Sequence, residues 1–187
     1  MRLKNSSILL FFLFIFSGFV TQTWTRYDNF EGRFSILSPG EFTAAVDTIE
    51  TDIGKIDYHV FYYQEPDKEA DNLFYMVSYC DYPSETVHSD SVHVLDEFFK
   101  TTIQTAASSV DGELMYVDET EFNEFPGRKW RINYLGGQAV IKTRAYLVGQ
   151  RYYAMQTIAL REKSLNNESE EFLNSFKLVV NKPEEND

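Results

Sequence analysis

The side chains of this sequence that could do chemistry are its histidines, carboxylates and tyrosines. His88 and His93 flank Ser89-Asp90-Ser91, with Asp81 and Glu85 close by. Imidazole and carboxylate groups together can hold a divalent metal. The spacing speaks against it here. Two histidines five apart straddling a helix start do not share a helical face, which needs three or four. The usual zinc spacings are absent, so a loop with a helix cap is the reading, and no metal or cofactor is expected. His59 falls in a strand-like run, where a core or surface role is expected rather than catalysis. Asp118, Glu119, Glu121 and Glu124 form a carboxylate run. Such a run is usually a solvated face, and a glycosidase separation cannot be read from spacing. No G-x-S-x-G, S-x-x-K or H-E-x-x-H motif occurs, and Gly136-Gly137 has the look of a hairpin turn rather than a phosphate loop. The expectation is that the protein is not an enzyme.

Tyrosines are the more suggestive group. Twelve are present, and most lie on or beside strand-like runs. An aromatic ring with a polar tip suits interfaces and ligand clefts. Tyr58, Tyr62, Tyr75, Tyr79 and Tyr82 are the expected ligand or partner surface. The competing reading is a tyrosine-rich strand core.

These residues must be positioned by strands and two helices. Arg33–Leu37 reads as a short first strand, stopped by Ser38-Pro39-Gly40. Phe42–Glu50 is extended, Ile53-Gly54 sits in a turn, and Lys55–Gln64 returns. In that return Ile56, Tyr58, Val60 and Tyr62 share one face, the period-2 signature of a strand. Leu73–Asp81 is a fourth strand, apolar on both faces, which asks for cover on both sides of the sheet. The period then changes. Val92, Leu95, Phe99, Ile103, Ala106 and Val110 recur at spacings of three and four, predicting a helix over 91–110. Asp90 or Ser91 can cap its start, and Asp111-Gly112 ends it. Four strands follow, roughly Glu113–Phe122, Arg128–Leu135, Gln138–Val148 and Arg151–Leu160. Pro126-Gly127, Gly136-Gly137 and Gly149-Gln150 mark the turns, and the short gaps favour antiparallel hairpins. A last helix is expected over Glu168–Ser175, with Asn167 and Glu170 as a capping box. The order β-β-β-β-α-β-β-β-β-α gives an α+β class.

Composition sets the rest. The chain has 187 residues and a net charge of −12. The first 24 residues hold two of the 17 basic and none of the 29 acidic side chains, which leaves −14 on the remainder. Nucleic-acid binding draws on Lys and Arg contacts to phosphate. An acidic domain repels that backbone, and an anionic membrane surface too, unless a local patch overrides the mean. A cationic partner or simple solubility fits better. Aromatics at 16% argue against disorder. The single cysteine, Cys80, excludes an internal disulfide and reads as a buried small hydrophobe.

The N-terminus reads as an export signal. Arg2 and Lys4 precede thirteen uncharged residues, Ile8 to Val20. A spanning helix wants about 20 apolar residues, so this run fits a signal h-region. The small-residue cleavage pattern is weak, which keeps an uncleaved anchor as the alternative. No cysteine follows for a lipoprotein anchor. The expected organisation is a signal or anchor over 1–24, one α+β domain over 25–182, and a polar acidic tail over 183–187. The expected location is periplasmic or secreted, with any membrane contact made through the N-terminal segment.

Several short stretches, taken in order, resemble a known family. They are FSILSPGEF from Phe34, G-K-I-D-Y-H from Gly54, Y-M-V-S-Y-C-D-Y-P from Tyr75, the helix from Ser91, E-F-P-G-R-K-W from Glu124, R-A-Y-L-V-G-Q-R-Y-Y from Arg144 and E-E-F-L-N-S-F-K-L from Glu170. Together they resemble the PsbP-like domains, extrinsic proteins of the oxygen-evolving photosystem and their bacterial relatives, whose fold the Ran-release factor shares. The resemblance implies an α-β-α sandwich around an antiparallel sheet. It carries no functional residue, since fold alone is a poor warrant for function. The functional expectation is an exported, non-catalytic binding or interaction module with a protein or envelope partner. The alternatives are a small-ligand binder with a tyrosine-lined cleft and, behind it, an unrecognised hydrolase.

Overall fold

The computed structural model describes residues 23–51, 54–83 and 85–179. The apolar run Ile8–Val20, Ile53 and the tail 183–187 lie outside the described residues. Among the described residues no helix is long and apolar enough to cross a membrane.

Five strands open the fold: β1 (Thr25–Asn29), β2 (Phe34–Ser38), β3 (Thr43–Thr51), β4 (Gly54–Gln64) and β5 (Phe74–Asp81). Helix α1 (Val92–Ser109) follows, then β6 (Glu113–Phe122), β7 (Phe125–Tyr134), β8 (Ala139–Val148) and β9 (Arg151–Leu160). A 3-10 turn leads to α2 (Asn167–Asn174) and a two-residue β10 (Lys177–Leu178). Seven strands form one antiparallel sheet in the order β3-β4-β5-β9-β8-β7-β6. Helix α1 packs on one face, over β6 and β7. Helix α2 packs on the other, over β8 and β9. Beside α2 lies a three-stranded sheet, β1-β2-β10.

This α+β architecture follows from the patterns that predict it. β5 is buried on both faces because Tyr75, Val77 and Tyr79 point to the α2 side while Ser78 and Cys80 point to the α1 side. The strand order carries two additions. Residues 25–32, which precede the first expected strand, contain β1, and β10 follows the last expected helix; both pair with β2. β1 is polar and β10 has two residues, so neither shows an apolar period.

Four local expectations are corrected. Pro126-Gly127 is not a turn but lies inside β7, and the hairpin turns at Asn123-Glu124, both with positive φ. Gly127 is there for space: a Cβ would stand 2.4 Å from the Ala145 carbonyl oxygen and 2.5 Å from the Tyr146 ring. The cap of α2 is Asn166, not Asn167, and its side chain accepts from the Ser169 N–H at 2.7 Å. Ser91 stands at the N-cap of α1 but makes no side-chain cap bond. The buried stripe of α1 is Leu95, Phe99, Ile103 and Ala107; Val92, expected within it, is 76% exposed.

Candidate functional site

The α1 face of the sheet is only partly covered. The large side chains of α1 sit over β6 and β7. Its next stripe is small: Thr101, Thr105 and Ser109, with Thr102 and Ala106 beside them. Residues four apart share one helix face, so this stripe is a wall of short side chains that cannot reach β4. The result is a cleft of about 520 Å³ between α1 and the β3–β4 edge. Ile49, Ile56 and Tyr58 form the opposite wall, and Cys80, Tyr82, Trp130, Tyr152 and Ala154 form the floor.

The cleft is uncharged. The Tyr58 and Ser78 hydroxyls share a hydrogen bond of 2.7 Å, and burial pushes the Tyr58 phenol above its ordinary value. Burial raises Tyr82 and Tyr152 likewise, and pushes the Cys80 thiol up to about 12. All four are neutral at physiological pH. Several polar groups on the walls are used internally: Thr102 Oγ1 donates to the Phe98 carbonyl, Ser109 Oγ to the Ala106 carbonyl, and Gln156 Nε2 to Thr143 Oγ1. Of the buried ones a single atom is not. Trp130 is 1% exposed, and its indole N–H has no hydrogen-bond partner among the described residues. A buried donor left unpaired costs about 1–3 kcal/mol.

The five tyrosines singled out by sequence are divided by the strand alternation. Tyr58 and Tyr82 line the cleft. Tyr62 shares the face of Tyr58 but stacks on Phe74 at 5.3 Å, outside the cleft. Tyr75 and Tyr79 are buried on the opposite face. The Tyr75 hydroxyl donates to Glu168 Oε2 at 2.8 Å and accepts from Asn72 Nδ2 at 3.1 Å. The Tyr79 ring stacks on His59 at 4.4 Å and lies under the Arg151 guanidinium at 4.6 Å. Trp130, Tyr152 and Cys80 complete the cleft and were not grouped by sequence. The small-residue stripe on α1 is the signal that could have located them.

A second, polar cleft of about 620 Å³ opens where Arg33, Asp81, His88 and Arg151 meet. Arg151 holds Asp81 through two bonds of 2.6 and 2.5 Å and donates to the Glu31 carbonyl at 2.8 Å. That guanidinium keeps the Asp81 carboxyl below its ordinary range. His88 Nδ1 accepts the Asp90 N–H at 3.2 Å. Asp81 and His88 are therefore both engaged, which leaves neither placed as a general base. His93 stands apart on the exposed start of α1, and among the described residues no three His, Cys, Asp or Glu groups gather around a metal position. The carboxylate run is also divided. Asp118 faces Lys129 at 3.6 Å, while Glu119 faces Arg128 at 3.4 Å on the other side of β6.

No family model matches the sequence, and no curated protein matches it. Among solved structures the chain is similar to the solution structure of cyanobacterial PsbP (CyanoP) from Synechocystis sp. PCC 6803. The TM-score is 0.54 at 13% identity, over 86% of this chain and 95% of that one. Likeness at that identity speaks for the backbone arrangement. The chain has a PsbP-like fold.

Proposed function

We propose that the protein is a non-catalytic binding module of the cell envelope, and that the cleft beneath α1 takes a small, neutral, largely apolar or aromatic ligand. One observation carries this reading: a tyrosine-lined, uncharged cleft of about 520 Å³ floored by Trp130, whose indole N–H is the only buried side-chain polar atom of the lining without a partner among the described residues. Ligand sites of this size are typically apolar with a few polar groups that fix orientation. Trp130 also supplies the readout. The other tryptophan, Trp24, sits on the opposite face against Tyr75 at 5.5 Å. Titration with the neutral probe N-phenyl-1-naphthylamine should give saturable binding with quenching of Trp130, and Thr105→Phe should weaken it at least about tenfold. Absence of saturable binding in the wild type would overturn the reading.

A protein partner is the second reading, and β6 favours it. Leu114, Met115, Tyr116 and Val117 are each about two-fifths exposed on a strand that ends the sheet. An open edge of this kind can accept a strand from another chain. Cross-linking from β6 in envelope fractions tests it; repeated recovery of no partner counts against it. The apolar N-terminal run is the basis for the envelope location. Fractionation into periplasm, membrane and medium distinguishes a cleaved signal from an anchor, and a cytoplasmic protein would refute both.

A further inference from the structure

The α2 face of β7 and β8 carries a cationic platform in an otherwise acidic molecule. Lys129 lies directly opposite Arg144, and Arg131 directly opposite Lys142. Like charges in cross-strand pairs are destabilising, and this face has two such pairs side by side. All four side chains are half-buried. Two carboxylates answer them: Asp118 on Lys129 at 3.6 Å, and Glu170 on Lys142 at 3.3 Å and on Arg144 at 3.8 Å. Arg131 has no carboxylate; its Nε donates to Asn133 Oδ1 at 3.0 Å, and the ends of its guanidinium have no partner among the described residues. Arg144 Nε is buried without a partner. Helix α2 covers β8 and β9 and leaves β7 and β6 open, so the Arg131 fork and the Tyr116 ring opposite it face outward.

We propose that this platform binds a compact polyanion, a ligand carrying clustered phosphate or carboxylate oxygens. The positions are about 5 Å apart across the strands and about 7 Å apart along them, a spacing that two adjacent oxyanion groups span. Arg matches such groups bidentately. The surroundings exclude an extended polyanion. Glu113 lies on the same face of β6, Glu170 and Glu171 lie on α2, and the whole chain carries −12. A nucleic acid or an anionic bilayer would meet that field, whereas a compact ligand meets only the platform. This site lies on the opposite face from the α1 cleft and does not depend on it.

Calorimetric titration of the intact protein with pyrophosphate and with citrate, at low salt, tests the proposal. At least one should bind with a 1:1 stoichiometry, weakening as salt rises. Arg131→Gln should lower affinity about tenfold, on the scale of one to two charge-assisted contacts. The same variant should leave the melting temperature unchanged or raised, because it relieves the Arg131–Lys142 repulsion and breaks no ion pair. Asp118→Asn, which removes a competing carboxylate, should tighten binding. Failure of both probes, or binding unaffected by Arg131→Gln, would overturn the proposal. A lowered melting temperature in Arg131→Gln would assign the platform to structure instead. Binding to phosphatidylglycerol vesicles with neither soluble probe bound would replace the ligand with a membrane surface and also overturn it.

Discussion

The two faces of the large sheet carry cores of different kinds. On the α2 side the core is closed. Phe34, at 0% exposure, touches the rings of Tyr27, Phe61, Tyr79, Tyr153 and Phe176. The polar ends of most tyrosines there are tied to the structure: Tyr75 to Glu168 and Asn72, and Tyr153 to the Gly32 carbonyl at 2.8 Å. On the α1 side the core stops where the helix side chains shorten, and the rest of the face is an open cleft with an unpaired donor. A sheet that is apolar on both faces needs cover on both sides, and a helix narrower than the sheet leaves part of one side bare. The difference teaches that the same residue type has two jobs here. Tyrosine seals one face and lines a cleft on the other.

The comparison breaks or holds first at the core. Phe34→Ala should lose about 3–5 kcal/mol in urea unfolding, as a fully packed aromatic does. Tyr82→Ala, half-buried on the cleft floor, should lose about 1–2 kcal/mol from its smaller buried area. Equal losses would mean that the cleft is as closely packed as the opposite core. Thr105→Phe sharpens the same contrast. It adds volume where the structure has space, so stability should move within about 0.5 kcal/mol, while N-phenyl-1-naphthylamine binding should weaken at least about tenfold.

Two smaller effects concern titration. Asp81 is held below its ordinary range in the folded state. Its contribution is present above the unfolded carboxylate value and is lost as pH falls through the folded one. Asp81→Asn should cost about 1 kcal/mol at neutral pH, because the pair is partly exposed, and should flatten the loss of stability between pH 4 and lower values; an unchanged acid limb would refute the pairing. Cys80 works in the opposite limb. Burial holds its folded value at about 12, above the ordinary thiol value of 9.0, so the native state keeps a proton that the unfolded state sheds. Stability should fall as pH rises from about 9 towards 12, and Cys80→Ala should soften that decline. The thiol should also react slowly with iodoacetamide at pH 8 in the folded protein; rapid alkylation would show that the cleft floor is more open than its burial implies.

Much of the fold was legible in the sequence for a local reason. Strand alternation in β4 and β9, the three-four spacing of Leu95, Phe99 and Ile103, and the paired glycines between β7 and β8 are all short-range signals. β1 and β10 were not legible, since a polar pentapeptide and a dipeptide become strands only because β2 offers them a ladder. The turn at Asn123-Glu124 was masked by the stronger-looking Pro126-Gly127. Of the candidate site, Tyr58 and Tyr82 lay among the named tyrosines, whereas Trp130 and Tyr152 come to the same cleft from β7 and β9 through pairings that no local pattern encodes.

The sequence by itself determined the two helices and eight of the ten strands in their order, the acidic balance and the apolar run at the N-terminus, because periodicity and composition act over a few residues. The tertiary structure alone decided which tyrosines meet. Period 2 assigns a side chain to one of two faces, but the identity of the face depends on what packs there. That choice rests on where α1 and α2 land, a matter of long-range burial. The same packing put Lys129, Arg131, Lys142 and Arg144 on one surface, a local charge that the net −12 of the chain conceals.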